Sequence, residues 1–281
     1  MMVSGKAAVA GVMGWPVGHS LSPRLHNYWL ARHGIDGAFV PLPVAPEHFA
    51  QALRVVGLLG FRGVNVTVPH KEAALGAVDE ADAAARRIGA VNTVVCRDDG
   101  SLRGMNTDGA GFLAHLAATH PDFDVAAGPA VLVGAGGAAR AVAAALVDAG
   151  APEVRIVNRT LARAEALATG LGEPLRVLSW IERNAALADA NLVANTTTQG
   201  MAGQPPLDLD LRRLPVEAVV YDVVYNPLRT PLLKAAAARG NRLVDGLGML
   251  MHQAVPGFAA WFGATPEVTA ELRAHLAEAL A

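Results

Sequence analysis

The chain has 281 residues, 52% of them hydrophobic and 17% charged, a composition that supports a large buried core and excludes a disordered or tail-like protein. Lys and Arg number 23 against 25 Asp and Glu, a formal net charge of -2, so no global positive field is present to hold a nucleic acid. Gly, Pro or charged residues break every apolar run before it reaches bilayer length, and the single cysteine, Cys96, cannot form an intramolecular disulfide.

Strand-like and helix-like runs alternate from the start: strand 7–13, helix 23–33, strand 38–43, helix 47–59, strand 63–68 and helix 71–87. The first run, Ala7 to Met13 behind Lys6, is stopped early by Gly14-Trp15-Pro16. It reads as a buried strand rather than a signal peptide, which favours the cytoplasm. The βαβαβ order predicts a mostly parallel sheet with helices on both faces. A hairpin then pairs 91–97 with 101–105 across Asp98-Asp99-Gly100, a strong turn signal, and Cys96 inside it reads as a buried packing thiol.

A helix over 109–119 leads to a second β-α series with strand 130–133, helix 138–149, strand 153–157, helix 161–171 and further strands at 192–195, 218–223 and 242–245. Two helices end the chain, one running through Phe262 and one over 267–280. The expected fold is α/β in two domains, since cores stop growing near this length. Residues 1–107 plus 246–281 form a discontinuous, mostly parallel substrate domain, and 108–245 form a Rossmann-type domain, with the C-terminal helices returning to the first.

Val131-Leu132-Val133 runs directly into Gly134-Ala135-Gly136-Gly137-Ala138-Ala139, a strand-turn-helix setting for a dinucleotide fingerprint. Glycines let the backbone approach a pyrophosphate, and the helix N-terminus supplies free N–H groups and partial positive charge. The next strand ends in Asn158, Arg159 and Thr160, with Arg163 a helical turn on. An NAD site usually carries a carboxylate there for the ribose 2′-hydroxyl; Arg159 instead suits a 2′-phosphate, with Thr160 as a further donor, so NADP(H) is favoured. Exposed arginines at helix starts are common, so Arg163 carries less weight than Arg159.

Between Gly63 and Val68 the valines share one face, and Asn65 and Thr67 the other. Lys71 follows Pro69 where open α/β sheets place their ligands, and Asp108 is its natural partner for moving a proton at a reacting alcohol. An ordinary ion pair at a domain junction is the alternative. Asn92 and Asn106 add amides nearby in sequence. Ser20 and Ser22 precede Pro23 at a helix start, where one can cap the helix and the other hold a carboxylate. Tyr225 and Gln253 are further donors. His19, His26 and His70 lack the spacing of a metal-ligand set, so no metal is expected.

With these residues in hand the chain resembles the shikimate dehydrogenase family over essentially its full length. The match runs through Gly14-x-Pro16-x-x-His19-Ser20-x-Ser22-Pro23, Asn65-Val66-Thr67-x-Pro69-x-Lys71, Gly89-Ala90-Val91-Asn92-Thr93, Asn106-Thr107-Asp108, Gly134-Ala135-Gly136-Gly137-Ala138, Asn158-Arg159-Thr160, Tyr225-x-Pro227-x-x-Thr230 and Gly246-x-x-Met249-Leu250-x-x-Gln253. The resemblance implies NADPH-dependent, reversible reduction of 3-dehydroshikimate to shikimate on the route to chorismate and the aromatic amino acids. It makes Lys71 and Asp108 the catalytic pair. Ser20 and Ser22 become carboxylate ligands, and Thr67, Asn92 and Gln253 ligands of the substrate ring and its hydroxyls. Cofactor contacts are implied at Thr196, Val223, Gly246 and Met249, although Asn195-Thr196-Thr197-Thr198 carries threonines where smaller residues are expected. A small-molecule enzyme of this kind is a monomer or homodimer with no nucleic-acid or membrane partner. The rival readings are an NAD-linked quinate or quinate/shikimate dehydrogenase and a non-catalytic NADP-binding sensor.

Overall fold

A computed structural model describes residues 3–280. The chain forms two compact units, the first running from the N-terminus through Thr107 and resuming over Gln253–Ala279, the second spanning Asp108–His252.

The first unit opens with β1 (Ala8–Gly14), α1 (Ser22–Arg32), β2 (Gly37–Pro43), α2 (Phe49–Leu58), β3 (Gly63–Val66) and α3 (Lys71–Ala77). It continues with β4 (Glu80–Ala81), α4 (Ala83–Ile88), β5 (Thr93–Cys96) and β6 (Leu102–Met105). The six strands lie in the order β2-β1-β3-β5-β6-β4. β1 pairs parallel with β2 and β3, β4 parallel with β6, and the β5–β6 hairpin antiparallel, beside β3. Alternation along the strands splits the core, as period 2 requires. Met13, Val64 and Val66 pack with Phe49, Leu53 and Ala74 of α2 and α3, whereas Ala10 and Val12 face Phe39 and Trp261.

Three expectations fail here. The single helix over 71–87 is broken, because Val78 is extended and the Asp79 carboxylate accepts from Leu102 N (2.8 Å) and from Arg54. These bonds draw the chain alongside β6, after which Asp82 caps α4 through Ala85 N (2.6 Å). The strand over 63–68 stops at Val66, and Val68 is 62% exposed rather than in the core. Pro69 has no N–H to continue the ladder, and His70 N turns back to Thr67 O. Cys96 is half-buried, not buried, and partial burial pushes its thiol up to about 11.

The second unit carries α5 (Asp108–Thr119), β7 (Ala130–Val133), α6 (Gly137–Asp148), β8 (Val154–Val157), α7 (Leu161–Leu171), β9 (Leu175–Leu178) and β10 (Leu192–Asn195). After these come β11 (Val219–Asp222), α8 (Pro231–Arg239), β12 (Arg242–Val244) and α9 (Gly246–Phe262), whose last turns lie in the first unit, followed there by α10 (Ala270–Ala277). All six strands are parallel, in the order β12-β11-β10-β7-β8-β9. This is the doubly wound Rossmann order, with its switch point between β7 and β10. Leu132, Ile156, Ala194 and Tyr221 pack with residues of α5, α6 and α7, while Val131, Val157, Val193 and Val220 belong to the opposite layer, with Leu187, Leu211 and residues of α8. Strands buried on both faces read as the continuous Val-rich runs seen in the sequence.

The sequence reading does not include β4, β9 or α8. β9 is a short edge strand behind Pro174, and β4 has two residues. α8 had a readable start, since Thr230 caps it through Leu233 N (3.3 Å) and Pro231 occupies its first turn.

In the first unit α9 is tied to the sheet by Trp261 Nε1, which donates to Val94 O (2.9 Å). The fully buried His26 of α1 stacks on Phe39 at 4.1 Å, with Trp29, Phe258 and Trp261 around it. Burial pushes its pKa down to about 3, the Asn65 side chain pulling weakly the other way. A depressed imidazole pKa means that this contribution to stability is complete above pH 6.5 and is lost as pH falls toward 3. Urea unfolding from pH 6.5 to 5 should show the wild type losing about 2 kcal/mol that His26→Phe does not lose. Parallel pH profiles for the two proteins would contradict this.

Candidate functional site

In the first unit the polar residues singled out by the sequence collect where strands leave one edge of the sheet. Parallel β1 and β3 end there, as does β6, and antiparallel β5 begins there. Asn92, just before β5 and 2% exposed, is the hub. Its Oδ1 accepts from Thr107 N (3.0 Å) and from Thr93 Oγ1 (3.0 Å), and its Nδ2 donates to Thr107 Oγ1 (2.9 Å) and Gln253 Oε1 (3.4 Å). Asn65 Nδ2 donates to Thr93 Oγ1 (3.2 Å), and Thr107 Oγ1 to the Gln253 carbonyl (2.8 Å). Asn65, Asn92 and Gln253 therefore belong to one network, closed by Thr93 and Thr107.

Lys71, half-buried, opens α3, and its carbonyl accepts from Val91 N (2.9 Å), which stitches the helix start to the segment carrying Asn92. Thr67 lies one residue past β3, its N–H bonded to Met13 O. Ser20 lies in the loop from β1 into α1, and Ser22 is the first residue of that helix. Neither caps the helix: Leu21 flanks its start without a side-chain cap, and Ser20 Oγ accepts from Ser22 N (3.2 Å). Asn106 is spent on structure, donating to Ala90 O (2.9 Å). His70 is structural too, stacked on Phe49 at 4.4 Å with Nε2 2.8 Å from Val44 O. Asp108, buried, opens α5 and belongs, like Tyr225, to the second unit.

In the second unit β7 is followed by Gly134, whose φ of +120° and the 2.7 Å from a would-be Cβ to Thr196 Oγ1 admit only glycine. Gly136 flanks α6 with no side-chain cap and open space around its Cα, so the first-turn N–H groups of α6 are left for an outside acceptor. That cradle, between Gly134 and Ala138, has the open space and free N–H groups that a dinucleotide pyrophosphate requires. Beyond β8, Asn158 Nδ2 donates to Thr160 O (2.8 Å). Arg159, Thr160 and Arg163 are all exposed, and neither arginine has an ion-pair partner among the described residues. Two free guanidiniums and a hydroxyl that caps nothing suit a phosphate on the adenosine ribose. Thr196 and Val223 lie at the same strand ends. Gly246 packs on the Val223 carbonyl, while Met249 is buried with the core of this unit.

Thr93 and Thr107 of the first network, and Asn195, Asp222 and Thr230 in the second unit, are not among the site residues the sequence predicts. Asp222 carried a signal, as the one charge in the apolar run 218–225.

A six-stranded doubly wound sheet with an uncapped glycine turn at its switch point, joined in one chain to an α/β unit with a polar strand edge, defines a two-domain, dinucleotide-dependent oxidoreductase. Two family models match the chain: the shikimate dehydrogenase substrate binding domain over residues 12–94 and shikimate / quinate 5-dehydrogenase over 115–202. The NADP(+) shikimate dehydrogenase of Rhodospirillum rubrum is 59% identical over 277 residues, covering 97% of this chain and 98% of that protein. The shikimate 5-dehydrogenase of Thermus thermophilus, solved with NADP(H) and shikimate, is similar with a TM-score of 0.84 and 39% identity, over 97% of this chain and 98% of that one. A quinate dehydrogenase from Corynebacterium glutamicum, solved with NAD, has a TM-score of 0.89 and 32% identity, over 97% and 99%. The chain belongs to the shikimate dehydrogenase family.

Removing the hub should be costly. Asn92→Ala leaves Thr107 N and Thr93 Oγ1 without their buried acceptor, at an expected cost of about 2–5 kcal/mol in urea unfolding. Thr93→Val, at the margin of the network, should cost less; the reverse order would remove Asn92 from its centre.

Proposed function

We propose that the chain catalyses the reversible, NADPH-dependent reduction of 3-dehydroshikimate to shikimate, on the route to chorismate and the aromatic amino acids. Family membership and the names of its relatives support the reaction. The observation that carries it is the buried network of Asn65, Thr93, Asn92, Thr107 and Gln253 beside the start of α3. A ring bearing several hydroxyls needs donors and acceptors fixed in advance, and amides locked by neighbours supply them without further ordering.

In this reading the first unit, with the helices that return to it, is the substrate domain, and the second is the NADP-binding domain. Ser20 and Ser22 hold the substrate carboxylate, while Asn65, Thr67, Asn92, Tyr225 and Gln253 orient its ring and hydroxyls. Lys71 and Asp108 hold the proton that moves between enzyme and substrate oxygen as carbonyl and alcohol interconvert. Gly134 to Ala138 and the α6 N-terminus hold the pyrophosphate, Asn158, Arg159, Thr160 and Arg163 the 2′-phosphate end, and Thr196, Val223, Gly246 and Met249 the nicotinamide end. When bound, NADPH supplies the hydride. The protein works in the cytoplasm on a small molecule, as a monomer or homodimer, without nucleic-acid or membrane partners. Among the described residues no helix is long and apolar enough to cross a membrane, and no three metal-ligating side chains form a group.

An assay at 340 nm with shikimate or quinate against NADP or NAD tests the reading, with shikimate and NADP expected to give the fastest rate. Quinate with NAD as the better pair would favour the quinate dehydrogenase alternative. Lys71→Ala should lower turnover by at least roughly 10²-fold while NADPH still binds; unchanged turnover would remove Lys71 from proton transfer and revive the sensor alternative. Arg159→Ala should weaken NADPH by about 1.5–3 kcal/mol, the range for hydrogen bonds to charged groups, and leave NADH nearly untouched. Equal losses for both cofactors would refute a 2′-phosphate contact.

A further inference from the structure

Asp222 ends β11 with no exposed surface and a carboxylate that accepts three hydrogen bonds, from the end of β10, from its own loop and from the start of α8. Oδ1 accepts from Asn195 Nδ2 (2.9 Å) and Val224 N (3.1 Å), and Oδ2 from Thr230 Oγ1 (2.7 Å). Asn195, itself fully buried at the end of β10, passes the constraint on. Its Oδ1 accepts from Thr197 N (3.0 Å) and Thr197 Oγ1 (2.7 Å), and its Nδ2 also donates to Gln199 O (3.0 Å).

The loop so held rests on the glycine turn. Thr196 N and Oγ1 both donate to Val133 O (2.9 and 2.7 Å), and the hydroxyl fills the space in front of Gly134. On the other side Val223 N donates to Asn195 O (3.0 Å), and the Val223 carbonyl occupies the place where a Cβ on Gly246 would stand. One carboxylate thus ties together the chain leaving β10 and β11, and the loops it holds rest in turn on the ends of β7 and β12.

Nothing in the packing asks for a charge there. No cation is among the groups that act on Asp222, and burial pushes its pKa up to about 6 against the three hydrogen bonds that favour the anion. A buried, unpaired carboxylate is an expensive way to fasten loops. Its merit is geometric: both oxygens only accept, so donors from three directions converge without competition from a proton. An amide at this place turns one donor toward Thr230 or Asn195 and must invert or lose a link.

We infer that Asp222 is a positioning residue for the cofactor, holding loops 195–199 and 223–225 in a single arrangement against the Gly134 turn and the start of α9, where the nicotinamide end is received. This rests on the NADP reading above and adds to it a residue that touches no ligand.

The test is NADPH affinity by fluorescence titration, with steady-state kinetics beside it, on wild type, Asp222→Asn, Thr230→Val and Thr230→Ser. Asp222→Asn should weaken NADPH binding roughly five- to thirty-fold, the effect of one or two hydrogen bonds, and lower kcat, while the shikimate KM stays within about twofold. Thr230→Val should move the same two quantities in the same direction, and Thr230→Ser, which keeps the hydroxyl, should restore them. Wild-type NADPH affinity in folded Asp222→Asn, even with a lowered Tm, would overturn the inference. If Asp222→Asn does not fold, equal NADPH affinity in Thr230→Val and Thr230→Ser would overturn it as well. A wild type that binds no NADPH would instead sink the functional reading beneath it.

Discussion

In strands buried on both faces most polar side chains gather where the strand leaves the sheet, and both units are organised by that tendency; Arg155, inside β8, meets its burial by pairing with Glu153 and Asp189. Within a ladder every backbone group is paired and the flanking layers are mostly apolar, so a hydroxyl or amide placed mid-strand needs a dedicated partner, as Tyr221 has in His115 (3.2 Å). At the strand ends the backbone pairing stops and donors and acceptors become available. In the first unit this gathers Asn92, Thr93 and Thr107 around Asn65 at one edge. In the second it gathers Gly134, Asn195, Thr196 and Asp222 at the carboxyl ends of neighbouring strands.

The two networks meet the cost of burial differently. The first is neutral: asparagine and threonine each donate and accept, so one hub can serve four partners without moving a charge into the core. The second is built around a carboxylate. His26 in the first unit and Asp222 in the second respond to burial in opposite senses, since each is driven toward its neutral form. His26 is held below the usual imidazole range and Asp222 above the usual carboxylate range. Acid therefore strains the first unit at His26, while rising pH strains the second at Asp222.

Much of the architecture was legible because parallel strands buried on both faces are written as short Val-rich runs. The runs at 130–133 and 192–195 and the helix at 161–171 were read with the bounds the structure has, and most other boundaries moved by a residue or two. The glycine turn was legible for a local reason, since strand, turn and helix start are consecutive in the chain. The helix over 71–87 was not, because its periodicity is broken by a bond from Asp79 to a strand more than twenty residues later. α8 was marked by Thr230-Pro231 and β9 by almost nothing, a short edge strand having only one neighbour to demand a pattern.

The sequence by itself determined which chemistry was available: an ammonium behind a proline, amides beside threonines, a glycine turn after a strand, and arginine where a carboxylate would select NAD. These are local properties, set by residue type and spacing along a few residues. Which of those groups would also be tied into the fold was decided only by tertiary structure. Asn106 and His70 went to backbone carbonyls, Ser20 to the backbone of Ser22, and Asn92 to a hub reaching from Asn65 to Gln253. A hydrogen bond between residues 161 apart leaves no periodicity to read, because its partners are brought together by the packing of whole elements.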